Sequence, residues 1–557
     1  MTFEITQQDL DLARDVIDSM NSAVESLART LNKLKDDEIE NQQVFLYDLA
    51  HSAAGLYMAS NCLNTLDSGD NSTDRNKIAD ENSNLKNKML ALGFIADVAH
   101  DLVSKTYGRL ESWGLSANFD KIITPFISKF RDPNFLELLW DITPVTSLDS
   151  DFELVAETFR RFAEEEIIPV AEAVHRNNSD VPENIIKGLA DLGAFGLSVP
   201  EEYGGFATGG THDYLGMVVA TEELSRGSLG IGGSLITRPE ILARALIAGG
   251  TETQKREILP KLATTEIMAA VAVTEPDFGS DVASIKVTAT KGGEGYYING
   301  VKTWCTFAAR ANVLMLLART DQDRTLGHRG LSLFIVDKPK GDSKGFIFSQ
   351  DNQPGRPTDG PQGKMEGRPI DTLGYRGMHS YEIAFENWWV PSEKLIGEES
   401  GLGKGFYLQM QGFENGRLQT AARALGVMRA SMEAAKSYAE NRIVFGEPII
   451  NYQLTKAKIG RMNMIVYATK NFTYEVAKLM GDKQGSMEAS MIKAYACKAA
   501  EWISREAMQI HGGMGYAEEF PVSRYFVDSR VLSIFEGADE TLALKVIAKA
   551  LLKKYRN

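Results

Sequence analysis

Ser533-Ile534-Phe535-Glu536-Gly537-Ala538-Asp539-Glu540 is the stretch on which the reading of this chain turns. Apolar residues run up to a single carboxylate, a glycine follows, and a helical pattern then occupies Thr541 to Leu552. A glutamate set between Phe535 and Gly537 can be partly withdrawn from water, which raises a carboxyl pKa and makes the group a usable base near neutrality. The same pattern also describes a plain turn or a helix N-cap. The rest of the chain has to decide between them.

The 557 residues are enough for several domains with large cores. A formal charge of −15 disfavours nucleic acid or anionic lipid as the main partner, while leaving room for a local basic pocket. Cys62, Cys305 and Cys497 lie far apart with no ligand spacing, which fits a reducing compartment and no metal site. The opening Met1-Thr2-Phe3-Glu4-Ile5 reads as neither signal nor transit peptide. No apolar run is long enough to span a bilayer, so a cytoplasmic protein without a membrane partner is expected.

Along the chain the hydrophobic period changes twice. Residues 10–35 place Ala13, Val16, Ile17, Met20, Val24, Leu27, Leu31 and Leu34 at helical spacing. Further helices are expected over Gln42–Leu66, Asn82–Trp113 and around Phe119–Trp140. Asp67–Thr73 reads as an exposed loop and Thr143–Asp151 as a linker. Residues 1–148 therefore form a helical module without visible chemistry. Helical patterns continue over Asp151–Arg176 and Tyr214–Leu262, with turns between helices at Gly193–Gly205. Short strands are then expected at Ala269–Val273, Ile285–Ala289, Tyr296–Ile298, Val313–Ala318, Leu331–Val336 and Tyr381–Phe385, with Asp351–Gly367 as a surface loop. From Gly403 the helical period returns. The fold class is α+β, mostly α, divided at 1–148, 149–268, 269–400 and 401–557.

Several segments carry candidate chemistry. Val273-Thr274-Glu275-Pro276-Asp277-Phe278-Gly279-Ser280-Asp281 ends a strand in a polar loop that can bind a pyrophosphate or a heterocycle edge, or simply turn the chain. Asn299-Gly300 is a hairpin signal, and Trp304 and Thr306, two apart on a strand, are expected on one face. An aromatic beside a hydroxyl suits a flat conjugated cofactor, although a core tryptophan has the same pattern. Arg442-Ile443-Val444-Phe445-Gly446-Glu447-Pro448 and Gln453 fall at a break between helices. Gln509-Ile510-His511-Gly512-Gly513 ends another helix in a turn open to close approach, with His511 structural.

In order and spacing these segments resemble the acyl-CoA dehydrogenase family from about Asp151 to Leu552. The resemblance implies a helical domain, a central β-barrel or sandwich domain and a C-terminal four-helix bundle, preceded here by an extra N-terminal module. It implies non-covalent FAD and desaturation of an acyl-CoA between Cα and Cβ. Glu536 falls where most of the family carries its base. The other position used in the family, just before an arginine on a helix, is Gly416 here. Val273 and Thr274 would hold the flavin pyrimidine edge, Ser280 would lie near the phosphates, and Trp304 and Thr306 would flank the isoalloxazine. Arg442, Phe445, Gln453, Gln509, Gly512 and Gly513 would meet the FAD of a neighbouring subunit. Arg417 would lie near the CoA end, with Ser280 and Gly537 also bordering substrate. Ala538-Asp539-Glu540 departs from the threonine and glutamine that many relatives carry after the base.

Arg226–Arg238 aligns on the family helix that lines the acyl pocket. Arg238 stands where relatives usually carry glutamine or histidine. A cation there reads either as partner to a substrate carboxylate or as half of a surface salt bridge. The long N-terminal module together with Lys364–Glu382 is similar to members that oxidise (2S)-methylsuccinyl-CoA to mesaconyl-CoA in the ethylmalonyl-CoA pathway. Electron-transfer flavoprotein is the implied acceptor. An acyl-CoA oxidase and a DNA-associated flavoprotein of the same superfamily remain alternatives, the latter opposed by the negative charge. Asn41-Gln42-Gln43-Val44 resembles Asn451-Tyr452-Gln453-Leu454, and a long helix follows each. The N-terminal module thus reads as an echo of the C-terminal helices, packed on them, in a homodimer.

Overall fold

Residues 4–70, 81–143, 148–351 and 353–556 are described by a computed structural model. The main helices in chain order are α1 (Gln7–Leu31), α2 (Gln43–Asp70), α3 (Glu81–Thr106), α4 (Ile123–Phe130), α5 (Ser150–Phe162), α6 (Ile168–Asn177), α7 (Glu183–Asp191), α8 (Thr211–Gly227), α9 (Thr237–Gly249) and α10 (Glu252–Ala263). After the strands come α11 (Gly405–Asn441), α12 (Gln453–Gly481), α13 (Ser486–His511), α14 (Val522–Leu532) and α15 (Ala548–Lys554). The chain forms two compact units, Leu154–Gln419 and the combination of everything up to Glu153 with everything from Thr420.

The unit Leu154–Gln419 holds the strands β1 (Ala269–Ala272), β2 (Thr288–Gly292), β3 (Gly295–Lys302), β4 (Val313–Arg319), β5 (Leu331–Asp337), β6 (Phe346–Gln350), β7 (Gly363–Ile370) and β8 (Ser380–Pro391). Their order is β1-β4-β2-β3-β8-β7-β6, with β5 paired to β4. β1 lies parallel to β4, and the β2–β3, β3–β8, β7–β8 and β6–β7 pairs are antiparallel. β4 is buried along its whole length, as its apolar run requires. Leu317, Leu333 and Ile335 pack with Leu242 and Leu246 of α9 and Leu259 of α10 to form the core.

Five expectations change here. Asn299-Gly300 is no hairpin: it lies inside β3 at a register shift against β8, where Gly300 adopts φ +127° and Asn299 Oδ1 accepts the N–H of Asn387. The bulge, rather than a turn, uses the glycine. The β2–β3 hairpin instead turns at Gly293-Glu294. Trp304 and Thr306 lie beyond the strand, because β3 ends at Lys302 and Trp304 takes a left-handed φ of +56°. Residues 363–367, expected in a loop, begin β7: Met365 is buried while Lys364 and Glu366 pair on the other face. Glycine and charge concealed that alternation. The strand expected from Ile285 starts only at Thr288, after a short turn of helix over Val282–Ser284. Of the loop expected at Asp67–Thr73, residues through Asp70 extend α2, and the remainder lies outside the described residues, as do positions 144–147 of the expected linker.

In the other unit, α1 opens with a capping box: Asp9 N–H donates to Thr6 Oγ1, and Thr6 N–H donates back to Asp9 Oδ2 at 2.9 Å. The bundle at the centre takes a hairpin from each end of the chain. α2 packs on α3 and α12 on α13, while α2 also meets α13 and α12, and α3 meets α12. Phe94 of α3 stands edge-on to Tyr495 of α13 at 5.7 Å. Asp97 receives Arg461 at 2.9 Å, with Arg131 at 3.3 Å. Gln43 and Gln453 each begin a long helix, as the echo between the two ends predicted. Residues 1–148 therefore supply half of the bundle.

Candidate functional site

Glu536 sits on the loop between α14 and the helical turn Asp539–Thr541. The loop closes on itself, since the Asp539 N–H donates to the Ser533 carbonyl at 3.1 Å. Glu536 is half-buried with φ +53°, and Gly537 follows at φ +99°. A left-handed glutamate is held by its surroundings. Lys493 of α13 donates Nζ–H to the Gly537 carbonyl, and Ser533 donates its hydroxyl to Glu501. Beside the base, the buried Arg423 guanidinium lies over the Phe535 ring at 4.9 Å. A π-helical segment, Leu542–Ile547, follows directly.

At the other end of α12 and α13, Arg442 to Gln453 and Gln509 to Gly513 lie together. A two-strand turn pairs Ile443–Val444 with Glu447–Pro448, and Ile449 N–H bonds the Arg442 carbonyl at 2.8 Å. Ile449 and Ile510 pack on one small cluster with Ala439, Ile450 and Ile459. Arg442, Phe445, Gln453, Gln509, Gly512 and Gly513 are all exposed, Phe445 at 96%. His511 is buried instead, stacked on Tyr438 at 4.2 Å, with Nδ1 2.8 Å from the Ala507 carbonyl; burial lowers its pKa. It is structural, as expected.

In the unit Leu154–Gln419, Val273 and Thr274 are drawn to the end of β3. Thr303 N–H donates to the Thr274 carbonyl at 2.9 Å. Lys302, fully buried, donates to the Val273 carbonyl at 2.8 Å and to Glu275 at 2.9 Å. Glu275 in turn accepts the N–H groups of Lys286 and Val287. Burial brings Lys302 down to about 8, with Glu275 opposing the fall. The pair clamps the strand end, and from it Trp304 projects, 55% exposed. Thr306 Oγ1 lies 3.0 Å from Ser380 Oγ. Ser280 is exposed on the loop after Phe278. Glu275 lies within the quoted Val273–Asp281 motif without a role of its own, and Lys302, two residues before Trp304, is not singled out; a lysine at an inward position of a strand is the signal that marks it.

Arg238 occupies the first turn of α9, behind a π-helical run Leu229–Gly233. It is 5% exposed, so the surface-pair alternative does not hold. Its neighbour Glu240 is engaged by Arg244 at 3.0 Å and by Asn415 of α11. The π run is itself close-packed: a Cβ on Gly230 would come within 2.4 Å of the Arg376 carbonyl oxygen. Arg417 is half-buried on α11, one residue after the buried Gly416.

These surfaces fit FAD. An exposed indole beside two hydroxyls offers a platform for a flat ring, and a Cβ added at Gly446, Gly512 or Gly513 would meet nothing within 4 Å. Among the described residues, no helix is long and apolar enough to cross a membrane.

Comparison with known proteins matches three domain descriptions in sequence: the N-terminal domain of acyl-CoA dehydrogenase at residues 149–266, the middle domain at 270–388 and the C-terminal domain at 403–552. (2S)-Methylsuccinyl-CoA dehydrogenase of Cereibacter sphaeroides is 42% identical over 409 residues, 73% of this chain and 70% of that protein. The solved glutaryl-CoA dehydrogenase in complex with glutaryl-CoA is 28% identical at a TM-score of 0.65, covering 73% of this chain and 97% of that one. A chain from the electron transferring flavoprotein structure of Acidaminococcus fermentans gives 28% and 0.65, covering 73% and 100%. With the helix–sheet–helix order in place, these matches make the chain a member of the acyl-CoA dehydrogenase family, the FAD-dependent oxidoreductases that act on the CH–CH bond of acyl-CoA.

Proposed function

We propose that the substrate is a short branched dicarboxylyl-CoA, (2S)-methylsuccinyl-CoA, and the product mesaconyl-CoA. The observation that carries this reading is Arg238, a buried cation at the start of α9. Beside its contacts within the chain, a buried guanidinium can take a substrate carboxylate in fork geometry. The likeness to a methylsuccinyl-CoA dehydrogenase and to a glutaryl-CoA dehydrogenase, whose ligand also ends in a carboxylate, supports it.

Glu536 takes the proton from Cα, and its backbone N–H donates to the thioester carbonyl, which acidifies that C–H. FAD, when bound, supplies the acceptor for the hydride that leaves Cβ. With FAD bound, Val273 and Thr274 would hold the flavin edge, Trp304 and Thr306 would flank the ring, and Ser280 would lie by the phosphates. Gly537 and Ser280 would border the substrate, with Arg417 near its CoA end. Arg442, Phe445, Gln453, Gln509, Gly512 and Gly513, all exposed, reach the cofactor of a neighbouring subunit in a homodimer. Electrons pass on to electron-transfer flavoprotein. The buried thiols of Cys62, Cys305 and Cys497 fit a reducing, cytoplasmic setting.

The test is flavin bleaching under anaerobic conditions. Arg238→Gln should weaken turnover of methylsuccinyl-CoA by about 3–5 kcal/mol while affecting neutral isobutyryl-CoA little. Equal losses on both would make Arg238 structural. Reoxidation of the reduced enzyme in air, followed by stopped flow, separates a dehydrogenase from an oxidase: rapid reoxidation selects the oxidase.

A further inference from the structure

The loop that carries Glu536 is held from outside the matched domains, which begin at residue 149. Asp539, three residues after Glu536, is only 7% exposed. Its Oδ2 receives the Tyr47 hydroxyl at 2.5 Å, His51 Nε2 lies 3.2 Å away, and Lys498 Nζ lies at 3.5 Å. Tyr47 and His51 stand one turn apart on α2 and face the same way, their ring centroids 4.3 Å apart. Lys498 donates to the Tyr47 hydroxyl at 2.5 Å and closes the cluster. Burial, then Asp539, raises the Tyr47 pKa, and burial lowers that of His51. Tyr47 keeps its proton at pH 7 and donates it to the carboxylate, while His51 Nε2 faces the same oxygen within ion-pair distance. The backbone N–H of the same Asp539 closes the loop on Ser533. One end of Asp539 thus fixes the loop, and its other end is fixed by the N-terminal extension.

We propose that Tyr47 and His51 are positioning residues for the base: through Asp539 they hold the loop in the left-handed turn that aims Glu536. This rests on the reading of Glu536 as the base. It also gives Asp539, within the run that departs from many relatives, a partner from the N-terminal extension of this chain.

The experiment uses the full-length holoenzyme with Tyr47→Phe, Asp539→Asn and both together. Flavin reduction by acyl-CoA, acyl-CoA affinity, FAD content, melting temperature and amide exchange of residues 533–541 are measured. Tyr47→Phe should slow reduction about 10- to 100-fold and speed exchange in the loop. Affinity and FAD content should stay within about twofold. The double variant should be no slower than the slower single one, because both cut one connection. Tyr57→Phe serves as the control. It removes the 2.9 Å contact with Lys554 elsewhere between the extension and the C-terminal helices, and should lower the melting temperature alone. If Tyr47→Phe behaves like Tyr57→Phe, or slows reduction without changing loop exchange, the proposal is overturned. Should Tyr47→Phe fail to fold, Asp539→Asn carries the same two readouts. A Glu536→Gln enzyme that reduces its flavin at the wild-type rate removes the base reading, while the exchange result still stands or falls separately.

Discussion

Glu536 and Asp539 share a loop and do opposite work with their carboxylates. The Glu536 side chain has to remain a proton acceptor. Glu536→Gln should retain FAD and bind acyl-CoA yet reduce its flavin about 10²- to 10⁴-fold more slowly, the span of a lost general base; reduction at the wild-type rate would remove it from the role. Asp539 has to remain ionised. Against the cost of burial, His51, the Tyr47 hydroxyl and Lys498 hold its carboxyl well below the ordinary 3.8. A depressed carboxyl stabilises the fold above its unfolded value, and that stability is lost as pH falls through the folded one. The groups facing it are Tyr47, His51 and Lys498, with Asp48 and Glu540 nearby. The melting advantage of wild type over Asp539→Asn should therefore be full above about pH 5 and shrink between about pH 4 and about pH 2. An advantage constant across that range would show that Asp539 does not titrate with folding. Of these residues, only Glu536 was legible in the sequence, because a base before a glycine recurs in a known pattern. Tyr47 and His51 look like ordinary polar positions on a helix until the fold brings Asp539 to them.

Among elements, the long helices were the most legible. Within α1 the apolar stripe falls on the core as its spacing predicts, with Ala13, Val16 and Met20 fully buried, while Leu34 lies beyond the helix and is exposed. β7 was hidden because Gly363, Gly367 and its charges weaken the two-residue period, and pairing with β6 and β8 decides its conformation. Asn299-Gly300 misled for a related reason: the same dipeptide serves a bulge as well as a turn. Some close packing is invisible at the level of pattern. Gly460 on α12 faces the segment before Trp140, where an added Cβ would come within 2.3 Å of the Leu136 carbonyl oxygen. Gly460→Ala should thus destabilise the unit by about 1–3 kcal/mol despite the better helix propensity of alanine. Chemical denaturation measures this, and a more stable variant would show that the helix and the segment separate freely.

At the scale of the molecule, the extension and the C-terminal helices were read as two modules, and they share one bundle. Met464 and Tyr467 on α12 and Cys497 on α13 are buried within the unit that both ends build. Deleting residues 1–148 strips half of the bundle and uncovers that apolar face. Full-length protein should be a homodimer by light scattering, and the truncated protein should aggregate or form tetramers. A full-length tetramer, or a truncated dimer that stays soluble, would sink the idea. A bundle shared by both ends also sets a schedule for synthesis. α1 to α3 leave the ribosome first, and α12 and α13 follow only after Leu154–Gln419 has been made. At about 5–20 residues per second, the early helices wait on the order of tens of seconds for partners. Helices themselves form within about a microsecond. Through that interval the α2–α3 hairpin has α1 against it but lacks the face that α12 and α13 will cover. The pace of translation across the middle of the message, and the supply of chaperone at the exit tunnel, thereby become determinants of yield.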